Sequence, residues 1–260
     1  MSVGPHQPAG PPLRWLGRTE TSVLLILAAG AWAATLVLAH GMAGTTGTMG
    51  FGIGAFVAVW TLMMSAMMLP SVAPVVSVYA RTVRASRAAR LSMLVAGYLL
   101  VWAAAGIPAY GLAWLTSWLG VHQPTAAHAL AFGIFGACGI YQLTSLKDKC
   151  LDHCRSPFGL LLHYGSFRGR TRDLRVGAHH GAYCLGCCWA LMVILIAVGV
   201  MNILAMVALA VLILAEKAWP RGEIIARTAG VAAIGLAVAT IWLPWLAPGL
   251  QAAQPMTMGS

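Results

Sequence analysis

From Tyr183 to Ala215 the chain runs without a single Asp, Glu, Lys, Arg or His. A stretch of that length points to hydrocarbon, where every backbone N–H and C=O must be bonded within the segment, so it must be helical. It is too long for one crossing, which takes ~20 residues. The "GVMN" at 199–202 predicts a tight turn that divides it into two short helices. Seven apolar segments result, at 21–40, 51–79, 91–118, 126–146, 183–200, 203–217 and 224–246. Composition agrees: 60% of residues are hydrophobic and 8% charged, with a mean hydropathy of +0.81. A soluble domain carries about a quarter charged residues. The expected fold is all-α, a polytopic integral membrane helical bundle of about seven transmembrane helices. Residues 1–20 read as a flexible N-terminal tail, 21–246 as a single transmembrane domain, and 247–260 as a flexible C-terminal tail.

The basic residues test the helix count. All sixteen Lys and Arg fall in the N-terminal tail and in the gaps after segments two, four and six. The positive-inside rule then predicts a bacterial inner-membrane protein with a cytoplasmic N-terminus and an outer C-terminus. Joining segments five and six into one span would put Lys217, Arg221 and Arg227 outside. The net charge of +10 therefore reads as topology, and no nucleic-acid motif accompanies it. The apolar core of segment one exceeds that of a signal peptide, which predicts a retained helix. Pro70 and Pro74 predict a kinked or broken second helix. Gly50 with Gly54, and Gly133, Gly136 and Gly139, predict close helix packing.

The gap at 147–182, expected as a cytoplasmic loop, opens "KDKCLDHCRSP" and leads into "GAHHGAYCLGCC". Cys150 and Cys154 are four residues apart and share a face if the helix of segment four runs on to Pro157. Cys184, Cys187 and Cys188 stand at i, i+3 and i+4, again one face. Folding of the loop would bring the two faces together. Thiolates and imidazoles converging this way suit zinc or copper(I), and a reducing cytoplasm favours metal over disulfide. The expected ligands are Cys150, Cys154, Cys184, Cys187 and Cys188, with His179, His180 and His153 beside them. Neighbouring bases and the start of the fifth helix are expected to lower the thiol pKa values. Cys138 reads as a small apolar core residue.

Met63, Met64, Met67 and Met68 form a second group of soft donors. Thioethers suit copper(I) but also fill irregular cores. Glu216 is ionisable at the edge of an apolar run, which marks a functional candidate, although a charge facing the headgroups is the simpler reading. Asp148 and Asp152 are expected to pair with neighbouring bases.

Together, "MMSAMMLPS" (63–71), "KDKCLDHCRSP" (147–157), "HHGAYCLGCCWALM" (179–192) and "GVMN…EK" (199–217) resemble a bacterial domain-of-unknown-function family (DUF2182-like) of predicted metal-binding integral membrane proteins. The likeness covers roughly residues 50 to 220. It implies a helical membrane fold and a metal site at Cys150, Cys154, Cys184, Cys187 and Cys188, with the Met63–Met68 group and Glu216.

The leading functional expectation is a membrane protein that binds copper or zinc for metal handling, transport or metalloenzyme assembly. The alternatives are a membrane thiol-disulfide oxidoreductase using the Cys184–Cys187 spacing, and an accessory subunit of a membrane oxidase or oxygenase. The implied partners are the lipid bilayer and a membrane metalloenzyme or metallochaperone, with no nucleic acid. No phosphate loop, nucleophile elbow or carboxylate pair supports a hydrolase or kinase.

Overall fold

The computed structural model describes residues 19–42, 47–83, 85–155, 164, 167, 169, 171–243 and 246–250. Most of both expected tails, and Arg14, Arg18, Arg84, Arg168 and Arg170, lie outside the described residues. Among the described residues there are eight α-helices and no strand. They are α1 (Thr19–Gly41), α2 (Ile53–Thr82), α3 (Arg87–His122), α4 (Pro124–Gln142), α5 (Ser145–Arg155), α6 (Arg172–Val198), α7 (Ile203–Ala218) and α8 (Gly222–Ala239), followed by a 3-10 turn at Pro248–Leu250.

Six of these, α1 to α4, α6 and α8, are long and apolar enough to cross a membrane. The sequence predicts a seventh, and the difference is α7. It is a helix as expected, but its 16 residues reach only about 24 Å, short of the ~30 Å hydrocarbon layer. The break before it falls where "GVMN" predicts: Gly199 has φ +112°, and the Asn202 side chain accepts from the Ala205 N–H at 3.0 Å to cap α7. Large apolar side chains such as Ile26, Val37, Ile107, Leu204, Val211 and Trp242 point outward. An exterior of this kind is solvated by lipid tails.

Helix α2 runs unbroken through Pro70 and Pro74. Its Met63, Met64, Met67 and Met68 are all buried. Close backbone approach occurs at one expected glycine, Gly139, and otherwise at glycines the spacing does not single out. A side chain on Gly97 would strike the Leu174 carbonyl, and one on Gly177 the Leu94 carbonyl. Gly181 meets Tyr98 and Val101 in the same way. These three let α3 and α6 press together, and α6 carries most of the candidate site. Gly139 and Gly230 do the same for α4 and α8, whereas Gly50, Gly54 and Gly133 face open space. Spacing identifies small residues, but it does not say which side of a helix a neighbour will take.

The basic gaps meet at one end of the bundle, tied by ion pairs. Arg87 pairs with Glu20. Arg90 holds Asp173 at 2.9 and 3.0 Å, and the Tyr79 hydroxyl donates to the same carboxylate. Arg227 lies 3.6 Å from Asp148. At the opposite end Ala247, Gly249 and Leu250, within the stretch read as a tail, are buried, with Gly249 against the last turn of α6.

The α3–α6 crossing gives a direct test. Gly177→Ala should destabilise the detergent-solubilised protein by about 1–3 kcal/mol, while Gly54→Ala should stay within about 0.5 kcal/mol. Thermal unfolding of the two variants side by side measures the difference.

Candidate metal centre

Helix α4 does not continue to Pro157. It stops at Leu143, and Thr144 restarts the chain by accepting the Lys147 N–H on its hydroxyl at 3.3 Å. The resulting α5 is short and polar outside, and it buries Lys147, Leu151 and Cys154 along one face. That face lies on α6, so the two cysteine stretches are brought together as the sequence predicts. The Cys154 and Cys187 sulfurs are 3.8 Å apart. Thiol contacts also join Cys154 to Cys184, and Cys184 and Cys187 to Cys188. Cys150 stands at the margin, half-buried, with its sulfur against Gly186. All six cysteines are free thiols, and Cys138 donates to the Ala190 carbonyl at 3.0 Å, away from the group.

Among the described residues, no three His, Cys, Asp or Glu side chains stand in ready metal-ligand geometry. The local reason is visible. The thiols of Cys187 and Cys188 donate back to the Cys184 carbonyl at 3.1 and 2.8 Å, as protonated sulfurs do in a helix. The residues nonetheless fit a soft ion. Two sulfurs on one tetrahedral ion at about 2.3 Å each stand about 3.8 Å apart. Cys187 and Cys188 would turn their side chains from the helix carbonyl to share an ion with Cys154, while the Cys184 sulfur already points away from it, toward Tyr98 and Lys217.

The expected lowering of the thiol pKa values does not hold where α5 contributes. Contacts with the Cys184 and Cys187 sulfurs, and then burial, push the Cys154 thiol up. Burial and then the nearby Cys187 push up Cys150. The start of α6 also cannot act on Cys184, because the helix begins at Arg172, three turns earlier.

Three lysine and glutamate side chains that sequence reasoning assigned to topology or headgroups turn inward. Lys147 and Glu216 pair at 2.7 Å with 0% and 1% of their side chains exposed. Gln142 donates to the other Glu216 oxygen at 3.1 Å, and Lys147 also donates to the Cys187 carbonyl. Glu216 is therefore a buried structural partner and does not face the headgroups. Lys217, half-buried, directs its ammonium to the Cys184 sulfur at 3.0 Å and the Ser71 hydroxyl at 3.2 Å. Tyr98 adds its hydroxyl to the same sulfur at 3.0 Å. Lys147, Lys217, Tyr98, Gln142 and Ser71 were not among the predicted site residues. Counting Lys only as a topology marker hid two of them. The one available signal was the position of Lys217 beside Glu216 at the end of an apolar run.

The histidines divide by depth. His180, one turn before Cys184, is buried, and its Nδ1 has no hydrogen-bond partner among the described residues. Its ring stacks on Tyr98, 6.0 Å between centroids, the residue whose hydroxyl meets the Cys184 sulfur. His153 and His179 lie nearer water, each partly exposed. The four methionines of α2 precede Ser71 on the helix whose Ser71 touches Lys217. Asp148 pairs with Arg227 as expected.

The buried pair predicts a stability signature. Lys147→Met or Glu216→Leu alone should each cost about 3–5 kcal/mol by stranding a charge, and the double variant should recover much of the loss. Thermal unfolding of the metal-free protein in detergent reads all three.

No curated protein and no solved structure matches the chain. The sequence model of the PpoB2 family, described as a copper chaperone, matches residues 57–240. The match takes in α2 to α8 and every residue of the sulfur cluster. It supports a metal-related family, and the name it supplies is the copper chaperone one. The chain therefore belongs to the PpoB2 copper chaperone family.

Proposed function

We propose that this protein is a membrane copper chaperone that takes copper(I) as cargo on Cys154, Cys184, Cys187 and Cys188, with Cys150 and His180 as reserve donors. The carrying observation is the 3.8 Å approach of the Cys154 and Cys187 sulfurs from two separate helices. Soft sulfur favours copper(I), and the family description agrees. Zinc shares the thiolate preference and is the competitor to exclude.

In this reading the sulfur cluster lies at the cytoplasmic end of an inner-membrane bundle, because the Lys and Arg gaps gather there. Lys217 balances the negative charge that thiolates bring, and Tyr98 holds the Cys184 sulfur in place. The Met64, Met67 and Met68 thioethers, on the turns of α2 before Ser71, continue the soft donors deeper into the bundle. They would hand the ion to a membrane metalloenzyme or a further metallochaperone.

Two experiments separate cargo site from core. The triple variant Cys184→Ser/Cys187→Ser/Cys188→Ser should lose copper(I) binding by at least about a hundredfold, while Cys138→Ser should bind normally. Anaerobic competition with a chromophoric copper(I) chelator and elemental analysis measure both. Retention of copper by the triple variant, or purification with zinc that copper(I) cannot displace, contradicts the assignment. Changing Met64, Met67 and Met68 to Leu conserves volume and should cost under about 1.5 kcal/mol each. The variant should load copper normally and release it more slowly to an acceptor.

A further inference from the structure

We propose that His153 and His179 form a second copper(I) site, separate from the thiol centre and standing between it and water. The inference rests on the thiol reading for its direction of transfer, but its geometry is independent.

His153 closes α5 immediately before Cys154, and His179 lies two turns into α6, immediately before His180. Their ring centroids are 5.8 Å apart at 66°. An ion held about 2.0 Å from one nitrogen of each ring joins centroids roughly 5–6 Å apart. Both residues are partly exposed, with His153 Nε2 itself buried, whereas Cys154, His180 and Cys184 are buried throughout. The pair therefore stands nearer water than the buried sulfurs do.

Each ring is held by a different partner. His153 stacks on Tyr183, 3.7 Å between centroids at 20°. The Tyr164 hydroxyl lies 3.0 Å from His179 Nδ1. In the tautomer whose Nδ1 donates to Tyr164, the ring's lone pair is on Nε2, the orientation that outer partners give to ligand histidines. His179 also meets Tyr183 at 5.0 Å and Phe167 at 6.1 Å. These contacts fix the rings for binding in a way that solvent-exposed histidines lack.

The ligand class follows from the donors. Two neutral imidazoles satisfy copper(I), which accepts a two-coordinate shell, whereas zinc sites take three or four protein ligands. Nitrogen is a harder donor than thiolate. An ion received at the imidazoles is therefore drawn on to Cys154, the next residue along α5, and from there into the sulfur cluster.

The test is copper(I) titration of the reduced full-length protein in detergent, followed by X-ray absorption at each step. The wild type should show a sulfur shell at the first equivalent and gain two imidazole nitrogens at the second. His153→Phe/His179→Phe should lose only the second equivalent, and its retained first equivalent reports an intact fold. Imidazole scattering at the first equivalent that persists in the double variant is that of His180; imidazole scattering at the first equivalent that the double variant loses would mean one mixed site and overturn the proposal. So would a second imidazole-bound equivalent that persists in the double variant. If the double variant loses both equivalents, Tyr164→Phe decides. It should weaken the second equivalent about tenfold, and an unchanged affinity overturns the proposal. The triple thiol variant keeps the two readings apart. If it loses the sulfur-bound ion and retains the imidazole-bound one, both stand. If it keeps sulfur-bound copper, the thiol reading alone fails.

Discussion

The Lys147–Glu216 pair sets the terms for everything around it. Both side chains have left water almost entirely, and a charge in that position is tolerated only when it is fully bonded. Glu216 takes Lys147 and Gln142, and Lys147 takes Glu216 and the Cys187 carbonyl. Four helices, α4 to α7, are joined by this network. Helix α5 is too short and too polar to hold its place by apolar burial alone. Its lysine pins it against α6 and α7, and one turn further along the same face its Leu151 and Cys154 are buried. The approach of Cys154 to Cys187 is thus a consequence of where a charged group could be satisfied.

The same network places Lys217. Because Glu216 faces inward to Lys147, the next residue leaves α7 in another direction, toward Cys184 and Ser71. Sulfur, ammonium and phenol hydroxyl then meet at the junction of α2, α3, α6 and α7. The α3–α6 contact that brings Tyr98 to Cys184 depends on glycines at 97, 177 and 181, since any side chain there would hold the helices apart. On the proposed route donor hardness changes, from the imidazoles of His153 and His179 through buried thiols to buried thioethers. A soft monovalent ion gains at the first of these steps, from nitrogen to sulfur.

Much of this was legible in the sequence because it rests on periodicity. The apolar runs identified the helices, and the "GVMN" turn came out at Gly199 and Asn202. The i, i+3, i+4 cysteines met Cys154 of α5 as their spacing implied, whereas Cys150 stayed at the margin. What was not legible depends on facing. The sequence does not say that Gly97 opposes α6 while Gly54 opposes nothing, and Gly133 gave the same false signal. Charge bias marks the end of the bundle at which Lys147 and Lys217 lie, but long lysine stems can turn either way. The break at Leu143–Thr144 carried no proline or glycine to announce it, and it alone separates α5 from α4. Ionisation of the two α5 thiols was not legible for a related reason: at Cys150 and Cys154, burial and contact with other thiols outweigh the nearby bases.

The central claim is that sulfurs from α5 and α6 share one ion, and counting those sulfurs tests it most directly. X-ray absorption of the protein at one equivalent of copper(I), compared with Cys154→Ser, should show a sulfur shell that shrinks by one neighbour when Cys154 is removed, with no change in fold. A shell identical in the two proteins would mean that α6 binds the ion alone and would contradict the account.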